Sequence, residues 1–213
     1  MKNQFKVLPQ TPWTAKNFWS LERQPLCVLT ISLLLLGFGE GLLLLSNLGS
    51  APWTVLSQGI ALQAGFSVGW ASLLISAFVM LMWIPLKLRV GLGTILNTLL
   101  VALALGITTA FIPAPNDLLL RIGYAIVGIL LFSISSAFYL TCHQGGGPRD
   151  GLMVGLCSYF HCKVGVMRTI MEASVCTLGF LLGGTIGIGT LLFSFSVGWI
   201  IQITLSLLKH SST

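Results

Sequence analysis

Five ionisable side chains stand in or beside stretches apolar enough to lie in lipid: Glu40, Arg149, Asp150, Arg168 and Glu172. On insertion scales each costs roughly 2.5–3.5 kcal/mol at the centre of a membrane helix. A charge kept at that cost meets either a fixed partner or something that passes through. The chemistry open to this set is binding rather than bond-making. An arginine presents a forked cationic donor to an anion, and a carboxylate holds a cation or a proton.

Arg149 and Asp150 follow Gly145-Gly146-Gly147-Pro148. Three glycines permit close backbone approach and unusual dihedrals. Pro148 then suits the first position of a helix, where its missing N–H costs nothing. A helix N-terminus carries unpaired N–H groups and a partial positive charge, so with Arg149 it would make an anion site. Asp150 would steady Arg149 or satisfy the helix N–H groups. The plainer alternative is a capped turn in which Arg149 and Asp150 pair structurally.

Arg168 and Glu172 are four apart and share a helix face, so they can form a structural pair turned into the bundle, or a gate that opens and closes. Glu40 stands in Gly37-Phe38-Gly39-Glu40-Gly41, whose glycines permit close helix packing. It is protonated, paired with Arg149 or Arg168, or a proton-coupling site. Cys142-His143 and His161-Cys162 offer soft ligands, but their spacing fits no zinc pattern, so no metal is expected. The Gly91-Leu92-Gly93-Thr94 segment has neither a preceding strand nor the GxGxxG spacing of a nucleotide site. No Ser-His-Asp arrangement, HExxH or P-loop occurs, so neither an enzyme nor a cofactor is expected.

The elements that must position these residues are membrane helices. Of 213 residues, 55% are hydrophobic and only 8% are charged, where a soluble domain carries roughly a quarter. Apolar stretches fall at 27–47, 52–65, 67–86, 92–113, 122–142, 148–161, 166–183 and 187–208. Six are long enough to cross. The stretches 52–65 and 148–161 reach only about 20 Å against a hydrocarbon core of roughly 30 Å, so they are read as re-entrant or half-crossing helices. The net charge of +6 reads as the positive-inside bias rather than a nucleic-acid footprint. Lys2, Lys6, Lys16 and Arg23 precede the first span and place the N-terminus in the cytoplasm. The five cysteines, odd in number and set in or beside apolar runs, argue against a disulfide framework.

The chain also repeats itself. At an offset of 96 residues Gly49 falls on Gly145, Pro52 on Pro148, Gly59 on Gly155, Val68-Gly69 on Val164-Gly165, and Gly91-Leu92-Gly93-Thr94 on Gly187-Ile188-Gly189-Thr190. Shared apolar bias matches leucines; it does not match Gly, Pro and Thr at one offset. The division is a basic tail over 1–26, a first membrane repeat over 27–113, a connection over 114–121, a second repeat over 122–208 and a short tail over 209–213. Three crossings per repeat, an odd number, would set the two in opposite orientations, as in many secondary transporters. Lys87, Arg89, Lys163 and Lys209 then lie inside. Four crossings per repeat would make the repeats parallel and put Lys87 and Arg89 outside, against the usual bias. The slots matching Arg149 and Asp150 hold Trp53 and Thr54, those matching Arg168 and Glu172 hold Ser72 and Ser76, and Glu40 matches Ser136. The scaffold therefore forms without a charge at any of these places.

Gly49-Ser50-Ala51-Pro52-Trp53 resembles the G-x-x-PW segment of the YczE-like bacterial membrane proteins, part of a YitT-related group. Gly147-Pro148-Arg149-Asp150-Gly151-Leu152-Met153 is similar to that family's most typical motif. Val166-Met167-Arg168, Glu172, Gly183-Gly184 and Gly187-Ile188-Gly189-Thr190 follow its pattern too, over roughly residues 28–208. The resemblance implies a multi-pass protein of the bacterial plasma membrane and a connection with the regulation of secondary-metabolite production. Glu40 is not part of the pattern.

The expectation is an all-α polytopic membrane protein of two repeats. Its function is read as transport of a small anionic or zwitterionic solute between them. Arg149 makes contact, while Asp150, Arg168, Glu172 and Glu40 orient or gate. The broken-helix glycines and prolines, Gly49 and Pro52 with Gly145 to Pro148, shape the site. The rival is a membrane regulator or scaffold whose tail, with Phe5, Trp13, Phe18 and Trp19, docks a partner or anchors at the interface. The partners expected are the lipid bilayer and the solute, with a homo-oligomer left open and no nucleic acid.

Overall fold

The computed structural model describes residues 9–161 and 164–211. Lys2, Phe5, Lys6, Cys162 and Lys163, named above as candidates, lie outside the described residues. Those described form eight helices and no strand: α1 (Arg23–Leu45), α2 (Pro52–Ala64), α3 (Val68–Leu81), α4 (Leu92–Phe111), α5 (Leu118–Thr141), α6 (Pro148–Phe160), α7 (Val164–Leu181) and α8 (Ile188–Ser211). Of the six stretches expected to cross, four form single helices long and apolar enough to do so among the described residues, α1, α4, α5 and α8; α7, over the expected stretch 166–183, is not among them. The outer faces expose large apolar side chains, among them Leu119, Phe195 and Trp199. In water such faces would drive aggregation; against lipid they are the expected surface.

Helix α1 is held on two sides through its glycines. A methyl group on Gly37 would meet the carbonyl of Val101 and the side chain of Ala104, and one on Gly41 would meet Thr108. Both positions advance together, so α1 and α4 run parallel. Gly39 instead meets Gly128 and Phe132, while Gly128 meets Gly39 and Leu43, so α1 and α5 run antiparallel. Lipid supplies no hydrophobic drive between helices, and contacts this close replace it. Because α1 and α4 are parallel, residues 46–91 must return the chain across the bundle.

That return is made by α2 and α3, which meet at a bend of 114°. The stretch 67–86, expected as one crossing helix, is helical only over Val68–Leu81, followed by turns. Pro85 cannot donate into a continuing helix, and Lys87 takes a positive φ of 51°. At 14 residues α3 covers about 21 Å, so it crosses only part of the thickness.

Local geometry recurs at the same offset of 96. The helix starts at 52, 68 and 92 return at 148, 164 and 188. The positive-φ residues pair likewise: Asn47 with His143, Gly49 with Gly145, Gly65 with His161, and Lys87 with Gly183. Gly49 and Gly145 share a φ of 109°, a conformation that favours glycine. Two hydrogen bonds interlock the halves. The N–H of Gly93 donates to the carbonyl of Gln144 at 2.9 Å, and that of Gly189 donates to the carbonyl of Leu48 at 2.7 Å. Each half's glycine turn thus holds the other half's helix break.

The segment before α1 is folded onto the bundle. The Trp13 indole N–H donates to Thr141 Oγ1 at 2.9 Å and its ring stacks on Phe138. The N–H of Ala15 donates to the Cys142 carbonyl at 3.1 Å, and that of Leu92 to the Phe18 carbonyl at 2.9 Å. Trp13, expected as a docking or interfacial side chain, is therefore an internal anchor, whereas Trp19 is exposed.

Candidate functional site

The break before α6 is fixed by groups from α4 and from the turns after α3. Thr94 donates its hydroxyl to the carbonyl of Gly146 at 2.9 Å, and the Trp83 indole N–H donates to the carbonyl of Pro148 at 3.1 Å. A side chain on Gly147 would press on Asn97 at about 3.1 Å. These contacts settle where Pro148 starts the helix, and so where the next two side chains point. Arg149 and Asp150 both line a half-open cavity of about 390 Å³, within the range of small-molecule sites.

Arg149 Nη1 lies 3.0 Å from Glu40 Oε1. The Glu40 side chain is fully buried, while that of Arg149 is 21% exposed. The second carboxylate oxygen, Glu40 Oε2, has no hydrogen-bond partner among the described residues. Above Arg149 sits Trp53, with the guanidinium carbon 5.4 Å from the ring centroid, an attractive cation–π geometry. The partner of Asp150 differs from both expectations. It neither steadies Arg149 nor caps the helix, but accepts a 2.7 Å hydrogen bond from the Tyr139 hydroxyl. On α7, Arg168 Nε donates to Glu172 Oε1 at 2.9 Å across one helical turn. This pair is more open than the sequence implied, at 47% and 27% exposure.

The cavity gathers both members of five matched pairs, among them Glu40 with Ser136 and Arg168 with Ser72. Ser76, the match of Glu172, lines it as well. Glu172 and Trp53 border an adjoining chamber of about 80 Å³, which shares Glu40, Arg149, Asp150 and Arg168. All five ionisable residues therefore meet at one place. Gly49 and Pro52 do so indirectly. Gly49 packs on Gly187 and Thr190, and Pro52 starts α2 at the edge of the smaller chamber.

Three contributors escaped the sequence reading. Trp53 carried a signal, since it fills the slot matching Arg149. Asn97, a lone amide in an apolar helix, carried a weaker one. Tyr139 carried none, because a single tyrosine near a helix end is ordinary.

The profile of a family described as a family of unknown function, DUF6198, matches residues 23–206. An uncharacterized protein of Haemophilus influenzae is 52% identical over 210 residues, covering 99% of this chain and 96% of its own. The uncharacterized membrane protein YczE of Bacillus subtilis is 27% identical over 176 residues, covering 81% of each chain. The uncharacterized protein YyaS of Bacillus subtilis is 25% identical over 198 residues, covering 84% of this chain and 92% of its own. No solved structure matches.

Proposed function

Starting from a chain that belongs to the DUF6198 family and is an integral, YczE-like membrane protein, we propose that it is a small-solute transporter of the bacterial plasma membrane, and not an enzyme. The two halves form an inverted duplicate with the N-terminus in the cytoplasm. The parallel run of α1 with α4 and the antiparallel run of α1 with α5 support that reading, as does the basic character of the segment before α1. A rigid-body rocking of one half against the other would then expose the cavity alternately to each side.

One observation carries the reading: a half-buried arginine, with one carboxylate partner for its five donors, lines a 390 Å³ cavity walled by both halves. A structural ion pair needs no room beside it. The solute is anionic or zwitterionic, held at Arg149 through its negative end. Ser72, Ser76, Asn97 and Ser136 add neutral hydrogen-bonding groups.

The test is uptake of labelled acetate, lactate, glutamate and phosphate into proteoliposomes, with Arg149→Ala beside the wild type. The expected result is uptake of at least one of these by the wild type and a loss of tenfold or more in the variant, about 1.4 kcal/mol or greater. Equal uptake by both proteins would remove Arg149 from the mechanism.

A further inference from the structure

The ion pair in the cavity already shows how Arg149 holds a carboxylate. Glu40 Oε1 is 3.0 Å from Arg149 Nη1, so the Glu40 side chain fills the place a solute carboxylate would take. Glu40 is an internal competitor for its own protein's anion site. The fold does not require it there, since the matching position is Ser136.

Displacing Glu40 raises a charge problem. Its side chain is fully buried, and Oε2 already lacks a donor among the described residues. An ionised Glu40 pushed off Arg149 would be left buried and unpaired, which is strongly unfavourable. Among the described residues, no second cation stands ready for it. From α7, Arg168 is held by Glu172 at 2.9 Å. From α6 come Arg149 itself and Asp150, a like charge that would oppose another anion. From α5, the Tyr139 hydroxyl is committed to Asp150. Helix α4 brings no ionisable side chain.

Resting on the transport reading above, we propose that a solute carboxylate replaces Glu40 on Arg149 only as Glu40 takes up a proton, so that anion and proton enter the cavity together. The accounting closes. Before binding, the pair is one guanidinium cation and one carboxylate anion. Afterwards it is the same cation with the solute's anion, and Glu40 is a neutral acid. The proton comes from water on the open side and forms one O–H bond on the Glu40 carboxylate. The buried net charge does not change, and the new hydroxyl can donate to the solute or to a neighbouring serine. Release on the other side reverses each step, which makes the protein an anion–proton symporter.

Formate tests this without knowledge of the natural solute, because it is the bare carboxylate group and stays ionised at both about pH 5.5 and about pH 8. Thermal stabilisation of the full chain in nanodiscs is measured against formate concentration, with sodium chloride as the salt control. In the wild type the apparent affinity is expected to improve by up to about tenfold per pH unit as pH falls, since one proton is taken up per anion. Glu40→Gln, permanently neutral at that position, is expected to bind formate equally at both pH values. Arg149→Ala added to that variant is expected to abolish binding.

Formate binding that is independent of pH in both wild type and Glu40→Gln would overturn the coupling while leaving Arg149 as an anion site. No formate effect in Glu40→Gln would overturn the anion site as well. Should Glu40→Gln fail to fold, a pH-indicator dye in weakly buffered wild type reads the same point. One proton taken up per formate bound supports the proposal, and none overturns it.

Discussion

The guanidinium carbon of Arg149 lies 5.4 Å from the ring of Trp53, and the two residues occupy matching positions 96 apart in the chain. Residues at equivalent places in the two halves thus meet face to face at the cavity. One brings a cation, and the other an electron-rich ring that accepts it without neutralising it. A carboxylate partner cancels the charge of an arginine; an aromatic partner orients it and leaves it able to bind an anion.

Trp53→Ala should therefore weaken anion binding without abolishing it. Loss of a cation–π contact is worth about 0.5–2 kcal/mol, or about two- to thirtyfold in affinity. Trp53→Phe should retain part of the effect. Formate-dependent stabilisation of the three proteins orders them; an unchanged alanine variant would show that the ring has no part in holding Arg149.

Tyr139→Phe should destabilise the fold. It removes the hydroxyl that donates to the exposed Asp150 carboxylate at 2.7 Å, a net loss of about 0.5–1.5 kcal/mol. Unfolding in mixed micelles measures it. Asp150→Asn in the Tyr139→Phe background should cost little more, because the hydrogen bond is already gone and position 150 is exposed. A large further loss would mean that Asp150 acts through another partner.

Gly39→Leu should prevent assembly of the bundle, since a Cβ alone would stand 2.7 Å from the carbonyl oxygen of Gly128. Gly123→Ala is the matched control, for a Cβ there meets nothing within 4 Å. It should be neutral or should stabilise by about 0.5–1 kcal/mol through helix propensity. Monodispersity and thermal midpoint in detergent separate the two. A well-behaved Gly39→Leu protein would contradict the close α1–α5 contact.

Topology is testable by labelling. A membrane-impermeant maleimide should reach Asn116→Cys from outside intact cells and Lys209→Cys only after lysis, as the positive-inside bias requires. Native Cys142 should stay unlabelled at about pH 7.5. It is fully buried, so the reagent cannot reach its thiol. The opposite labelling pattern would reverse the assigned orientation.

The amino-acid sequence determined the membrane class, the short helices that begin at Pro52 and Pro148, and the five ionisable residues that line one chamber. These follow from local rules: apolar length, proline geometry, and the cost of a charge in lipid. Helix α3 was read too long because apolar composition runs on past its end, whereas Pro85 and the positive φ of Lys87 end it.

The Arg168–Glu172 pair was legible from its spacing of four, whereas tertiary structure chose Arg149 over Arg168 for Glu40 and chose the partner of Asp150. Glu40 meets Arg149 across 109 residues, and Asp150 turns to Tyr139 rather than to its neighbour. In a soluble helix an apolar stripe tells which face turns inward. Helices such as α1 are apolar almost all round, so their rotation is set by where glycines let backbones touch. Gly37, Gly39 and Gly41 fix that rotation against α4 and α5, and the rotation is what aims Glu40 at Arg149.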